Sequence, residues 1–291
     1  MKKWLLLPMA VILFAATFAW ANEPYSIGHS QVALADAMRG GRLVTAELFY
    51  PSDIGGEGAV PADPTFPAIV FAHGYQQAYT DYHVIWETLV PLGYIIILPT
   101  TEGGLSIDID AYSADLVFLL QQFKAGNVYQ KPASSGPLTD KFALMGHSTG
   151  GGASYLAQRI KPLATTIISL ASLGELYGPI YGSEPISGVP EVSIPSLLLT
   201  GEEDCICPVE RHQQPLYDGL SSQTKAIVRI IGGDHCGFLD STNCPLAEMA
   251  ICGFSQGATI TDAKQIEISL RYIVPWLYYF LRGDLQEWST V

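Results

Sequence analysis

Phe142–Gly152 reads Phe-Ala-Leu-Met-Gly-His-Ser-Thr-Gly-Gly-Gly. An apolar run enters a G-x-S-x-G pattern and a helix-compatible segment leaves it. That is the context of a sharp strand-to-helix turn, which lifts a serine clear of the chain. A serine hydroxyl is a poor nucleophile until it is set beside a base. The strained turn also needs neighbours without a β-carbon, and Gly146 and Gly150 supply them. Ser148 is therefore the candidate nucleophile. Gly253-Phe254-Ser255-Gln256-Gly257 fits the same pattern. Chains that use this turn follow the serine with an acid and then a histidine. None of the six histidines (His29, His73, His83, His147, His212, His235) lies beyond Ser255, so Ser255 reads as a loop serine.

Outward from this turn, short apolar runs alternate with helical patterns. Leu43–Tyr50, Ala68–His73, Tyr94–Pro99, Phe142–Gly146, Thr165–Ala171, Ser196–Thr200 and Ala226–Ile231 read as strands. Most are continuously apolar, as strands buried on both faces are. Helices are expected over Asp81–Leu92, Ile107–Phe123, Gly150–Ile160, Val209–Leu220 and Asp262–Leu281. Tyr25–Ala46 is a mixed approach segment, and Pro51–Pro67 is a Pro- and Gly-rich loop. Repeated units of this kind predict an α/β fold, a mostly parallel sheet covered by helices on both faces. The connection between Ala171 and Ser196 is too short for a helical lid domain, so an open cleft is expected.

Functional groups of such sheets gather at the carboxyl ends of strands. Ser196–Pro208 ends a strand in Thr-Gly-Glu-Glu-Asp-Cys, and Asp204 is the candidate acid, Glu202 and Glu203 lying too close to the strand end. Asp204 would accept the Nδ1–H of a histidine and fix its tautomer. Ala226–Phe238 ends a strand in Gly-Gly-Asp-His, which presents His235 as general base and then general acid. His212 falls within a helix, and His73 and His147 are read as structural. An oxyanion needs two preorganised donors. The N–H groups of Thr149 and Tyr75 are the candidates, with Gln76 as alternate to Tyr75. The Tyr75 ring offers an aromatic face to an acyl group.

The first 21 residues read as a signal peptide: basic Met1-Lys2-Lys3, apolar Trp4–Phe18 and an Ala19-Trp20-Ala21 cleavage site. Residues 22–291 are then expected to form one domain. Hydrophobic content of 48% with 15% charged residues describes a chain with a large core. The net charge of −13, deepened by loss of Lys2 and Lys3, disfavours nucleic acid and anionic membranes as partners. A monomer is expected. Five cysteines in an exported chain imply disulfides with one sulfur left over. They lack the spacing of a metal site, and no cofactor is implied. Cys205 follows the candidate acid and Cys236 the candidate base. A bridge from Cys205 or Cys207 to Cys236 would clamp the two loops, leaving Cys244 and Cys252 for a second bridge. The competing pairing joins Cys236 to Cys244 or Cys252.

These residues resemble the α/β-hydrolase fold. Gly-His-Ser-Thr-Gly-Gly-Gly-Ala-Ser is similar to the serine turn of bacterial cutinases and polyester hydrolases. The runs from Gly201 to Leu220 and from Gly232 to Phe238 resemble the acid and histidine loops of the same group. The likeness covers most of Ala68–Leu281. It implies a cofactor-free, secreted serine carboxylic ester hydrolase working through an acyl-enzyme on small, lipid or polymeric esters. Tyr75, Leu173 and Tyr177 are the expected substrate contacts, with Tyr181 the other candidate aromatic beside Tyr177. Two departures are Thr149, where the family often has Met, and Leu170-Ala171-Ser172-Leu173, which lacks the tryptophan of polyester hydrolases. Dienelactone-hydrolase-like, chlorophyllase-like and platelet-activating-factor-acetylhydrolase-like enzymes share the layout. A peptidase or amidase would want a cap to hold a peptide. A non-catalytic binding protein would not require Ser148, Asp204 and His235 together.

Overall fold

The computed structural model describes residues 25–62, 65–129, 140–240, 244, 250–253 and 257–284. The expected signal peptide (1–21) and Ser255 lie outside the described residues. The apolar runs form the centre of a nine-stranded sheet. Strands β4 (Ala68–Ala72), β5 (Ile95–Pro99), β7 (Phe142–His147), β8 (Thr166–Leu170) and β10 (Ser196–Gly201) are buried along their whole length. Burial on both faces explains why their sequences show no alternation. Strands β1 (Ser26–Asp36), β2 (Arg42–Ser52), β3 (Gly56–Glu57) and β11 (Lys225–Ile230) complete the order β11-β10-β8-β7-β4-β5-β2-β1-β3. The strands from β11 to β5 run parallel, and β2 is antiparallel to β1 and β5. A separate ladder pairs β6 (Ile107–Asp108) with β9 (Ile180–Tyr181). This is the α/β-hydrolase architecture.

The strand order dictates where the helices lie. From β4 the chain crosses to β5, but from β7 it crosses to β8, in the opposite direction along the sheet. Right-handed crossovers therefore place α1 (His83–Leu89) and α3 (Thr149–Ile160) on opposite faces. Helix α6 (Asp262–Leu277) packs with α1, and α2 (Ile109–Lys124) packs with α3. The direction reverses between β4 and β7. Their carboxyl ends thus open the crevice in which α/β sheets carry their sites.

Elements that differ from the sequence expectation include β1, α2 and the terminal helix. β1 is an eleven-residue strand where a mixed approach segment is read. It pairs along its whole length with β2, over two residues with β3, and buries few residues, so it carries no apolar run. Helix α2 begins at Ile109 because the Asp108 carboxylate caps the N–H groups of Asp110 and Ala111. The terminal helix remains α-helical only to Leu277 and continues as a π turn over Tyr278–Arg282, just after Pro275 removes a backbone donor. Between Ala171 and Ser196 the chain holds only β9, the one-turn helix α4 (Pro185–Gly188) and a 3-10 turn.

Candidate active site

The turn between β7 and α3 holds Ser148 at φ 53° and ψ −120°, a conformation that costs a non-glycine residue about 1–3 kcal/mol. Close packing enforces it. A β-carbon on Gly146 would lie 2.5 Å from the carbonyl of Gly150, and one on Gly150 would lie 2.5 Å from the carbonyl oxygen of His73. The Ser148 N–H donates to Leu170 O (2.9 Å), and its carbonyl accepts from Leu173 N–H (2.8 Å). The serine is thereby pinned to the end of β8 on both sides.

Asp204 and His235 meet across the ends of β10 and β11. His235 Nδ1 donates to Asp204 Oδ2 at 2.8 Å, with both side chains buried. Asp204 Oδ1 accepts from the N–H groups of Ile206 (2.9 Å) and Cys207 (2.7 Å). The carboxylate is thus held by three donors. Burial alone would lower the pKa of His235. The charge of Asp204 outweighs it, and the ring titrates well above an ordinary imidazole. His235 Nε2 is buried and has no hydrogen-bond partner among the described residues, which leaves it for a proton on the reacting side.

The expected disulfide clamp between these loops is overturned. Cys205 pairs with Cys252 and Cys236 with Cys244, while Cys207 is free and buried. The expected Cys244–Cys252 bridge is likewise absent. Backbone joins the acid and histidine loops instead: Glu203 N–H donates to Gly233 O (2.8 Å) and Glu202 N–H to Ile230 O (3.0 Å). A β-carbon on Gly201 would lie 2.5 Å from Gly233 O, so the two loops touch main chain to main chain. Their cysteines are left to reach outward.

The loop after β4 supplies the facing wall. Gly74 N–H faces Gln77 Oε1 and the Tyr82 hydroxyl, both at 3.1 Å, and Gln77 N–H donates to Gly74 O. The intervening N–H groups of Tyr75 and Gln76 donate to no backbone acceptor among the described residues, with Gln76 at φ 54°. Thr149 is the first residue of α3, where N–H groups have no intrahelical acceptor. Tyr75 lines the cleft and donates its hydroxyl proton to Leu105 O (3.1 Å).

The cleft occupies about 230 Å³ and is lined by Tyr75, Ser148, Thr149, Tyr177, Gly178, Pro179, Ile180 and Ile251. Tyr177 therefore reaches it. Leu173, an expected substrate contact, does not. It is fully buried, because its N–H is spent on Ser148 O and its side chain turns into the core. His212 stands at the N-cap of α5 (Gln213–Gly219) and accepts from the N–H groups of Gly174 (3.1 Å) and Glu175 (3.3 Å). Burial, with the charge of Arg211, lowers its pKa to about 4 and keeps it neutral for that task. It anchors the loop that carries Tyr177.

His147 links two loops of the site. Its Nε2 lies 3.1 Å from His235 O, and its Nδ1 lies 3.0 Å from both Tyr82 Oη and Gln77 Oε1. Burial, then the charge of His235, pushes its pKa well down, so the ring is neutral. We assign the Nε2–H tautomer, which donates to His235 O and leaves Nδ1 as an acceptor. The Tyr82 hydroxyl lies between His147 Nδ1 and Gln77 Oε1, and its one proton serves one of these two acceptors at a time. The turn after β4 is thereby joined to the histidine loop through one imidazole. The sequence signal was a histidine beside the nucleophile. Its partners, 65 and 88 residues away, were not legible. His73 is buried, its ring nitrogens facing Gly74 O and Thr101 O.

Among the described residues, no cluster of His, Cys, Asp and Glu could hold a metal ion. Similar chains are named for ester chemistry. A bis(hydroxyethyl) terephthalate hydrolase of Streptomyces coelicolor is 26% identical over 232 residues, 78% of this chain and 66% of that one. Cutinase 1 of Thermobifida cellulosilytica is 25% identical over 220 residues, 74% of this chain and 73% of that one. A cutinase of Thermobifida fusca is 25% identical over 220 residues, 74% of this chain and 64% of that one. The chain spans about two thirds of the length of the relatives it matches. The model of a family described as PET hydrolase-like matches residues 15–256, well over half of the sequence. The chain belongs to the PET hydrolase-like family.

Proposed function

We propose that this protein is a secreted serine carboxylic ester hydrolase that works through an acyl-enzyme on Ser148 and accepts small and polymeric esters. The observation that carries the reading is a serine held at φ 53° at the end of β7, in a fold that sets a buried His235–Asp204 pair at the ends of β10 and β11. Ser148 Oγ attacks the ester carbonyl carbon and passes its proton to His235 Nε2. Asp204 keeps the opposite ring nitrogen protonated and stabilises the imidazolium. The N–H groups of Thr149 and Tyr75 receive the negative charge that develops on the carbonyl oxygen. Collapse breaks the C–O bond, and His235 returns the proton to the leaving alcohol. Water then repeats the sequence on the acyl-enzyme and releases the acid.

The apolar cleft and the names of the relatives support carboxylic esters, including bis(hydroxyethyl) terephthalate and cutin-like polyesters, as substrates. The basic and apolar leader and the two disulfides support export. Among the described residues no helix is long and apolar enough to cross a membrane. The test pairs a fluorophosphonate probe with p-nitrophenyl esters from acetate to palmitate and a polyester film. A single adduct on Ser148 that tracks loss of esterase activity is expected. An adduct elsewhere, or full activity after labelling of Ser148, would refute the assignment.

A further inference from the structure

The walls of the cleft come from two places in the chain. Tyr75, Thr149, Tyr177, Pro179 and Ile180 arrive on the loops and helix that follow β4, β7 and β8. Ile251 arrives from beyond β11, where the described residues take no part in the sheet. It is a large aliphatic side chain left 52% exposed, with its buried part against the cleft that holds Ser148. Its sequence neighbour Cys252 is bonded to Cys205, and Cys205 follows Asp204. A second bridge, Cys236–Cys244, ties the residue after His235 to the same stretch of chain. An aliphatic wall is thus fastened covalently to the loop that holds the acid.

We propose that Ile251 is a specificity-determining residue, whose side chain closes the cleft against the apolar part of the acyl group, and that the Cys205–Cys252 disulfide holds it there. This rests on the esterase reading above. The two tyrosine hydroxyls that could have made the outer cleft polar are turned away. Tyr75 donates to Leu105 O, and the Tyr177 hydroxyl lies 3.7 Å from Cys207 Sγ. Away from Ser148 and Thr149, what faces the ligand is ring and aliphatic carbon, which selects an uncharged apolar group. The volume of about 230 Å³ falls below the ~300–1,000 Å³ of sites that enclose a whole drug-sized ligand. The cleft therefore takes a single aromatic ring or a short alkyl chain, and the rest of a longer substrate lies outside it.

The test compares kcat/KM for p-nitrophenyl hexanoate and p-nitrophenyl acetate in the wild type, Ile251→Ala, Ile251→Asp and the double variant Cys205→Ser/Cys252→Ser, with a melting curve for each. The hexanoate-to-acetate ratio is expected to fall about five- to tenfold in Ile251→Ala, carried mainly by KM, and further in Ile251→Asp. The double variant, folded at assay temperature, is expected to lose the preference in the same way. Ratios within about twofold of wild type in both Ile251 variants would overturn the wall, and a wild-type ratio in the folded double variant would overturn the tether. Failure of the wild type on both esters would instead sink the esterase reading.

Discussion

Ser148, His235 and Asp204 act as one unit, and their removal should show it. Ser148→Ala is expected to lower kcat by about 10⁴- to 10⁶-fold while the circular dichroism spectrum stays unchanged. Asp204→Asn should cost about 10⁴-fold, because an amide cannot hold the ring in the required tautomer. Only neutral His235 can take the serine proton, and Asp204 holds its pKa well above the ordinary value. The acid limb of the kcat/KM profile should therefore centre on the alkaline side of pH 6.5, with activity rising as the imidazolium is lost. A limb centred at or below that pH would refute the electrostatic account. His147 touches the backbone of His235 but no reacting atom, so it is a positioning residue. His147→Ala should lower kcat about 10- to 100-fold, with KM for a small ester little changed. A merely structural residue would lower Tm and leave kcat per folded molecule intact.

At the scale of elements, the two disulfides differ in the length of chain they close. Cys205–Cys252 spans 47 residues, including α5, β11 and the histidine loop, and Cys236–Cys244 spans only eight. In the chain-entropy model these are worth about 4 and about 2.5 kcal/mol. Thermal melting of the two paired serine variants should show the larger drop in Tm for Cys205→Ser/Cys252→Ser. The sequence made the central strands legible because β4, β5, β7, β8 and β10 are buried on both faces and carry unbroken apolar runs. β1 was not legible, since a strand that buries few residues is recognised by its partner and not by its own composition. The same division runs through the site. Ser148, Asp204 and His235 stand on strand ends, where local pattern and chain order place them. The pairing of the cysteines, the burial of Leu173 and the approach of Ile251 depend on which distant segments meet, and no local pattern carries that.

The whole molecule presents an acidic surface around an apolar cleft, with only short elements between Ala171 and Ser196. Hydrolysis of a sparingly soluble ester should rise smoothly through the substrate's critical micelle concentration. A sharp jump there would reveal a cover that opens at an interface. The charge of −13 should also govern contact with polymer. As a film is hydrolysed its surface gains carboxylates, which repel an acidic enzyme over about 10 Å at 0.1 M salt. Adsorption to an aged film should then increase with ionic strength, while adsorption to a fresh film changes little.

The thiol of Cys207 is fully buried and its pKa is raised by burial, with Cys205 two residues before it and Cys236 on the adjoining loop. In the folded protein it is too poorly ionised and too enclosed to attack either bridge. During oxidative folding it has no such protection. Five cysteines can form two bridges in roughly fifteen ways, and Cys207 competes for partners with both neighbours. Exchange continues for as long as a thiolate is exposed. The spare sulfur is thus a hazard of biogenesis more than of service, and it sets a demand for an isomerising environment. Refolding of the reduced chain in a glutathione buffer, followed by non-reducing electrophoresis, should give a mixture of bridged forms, and Cys207→Ala should collapse that mixture toward one species.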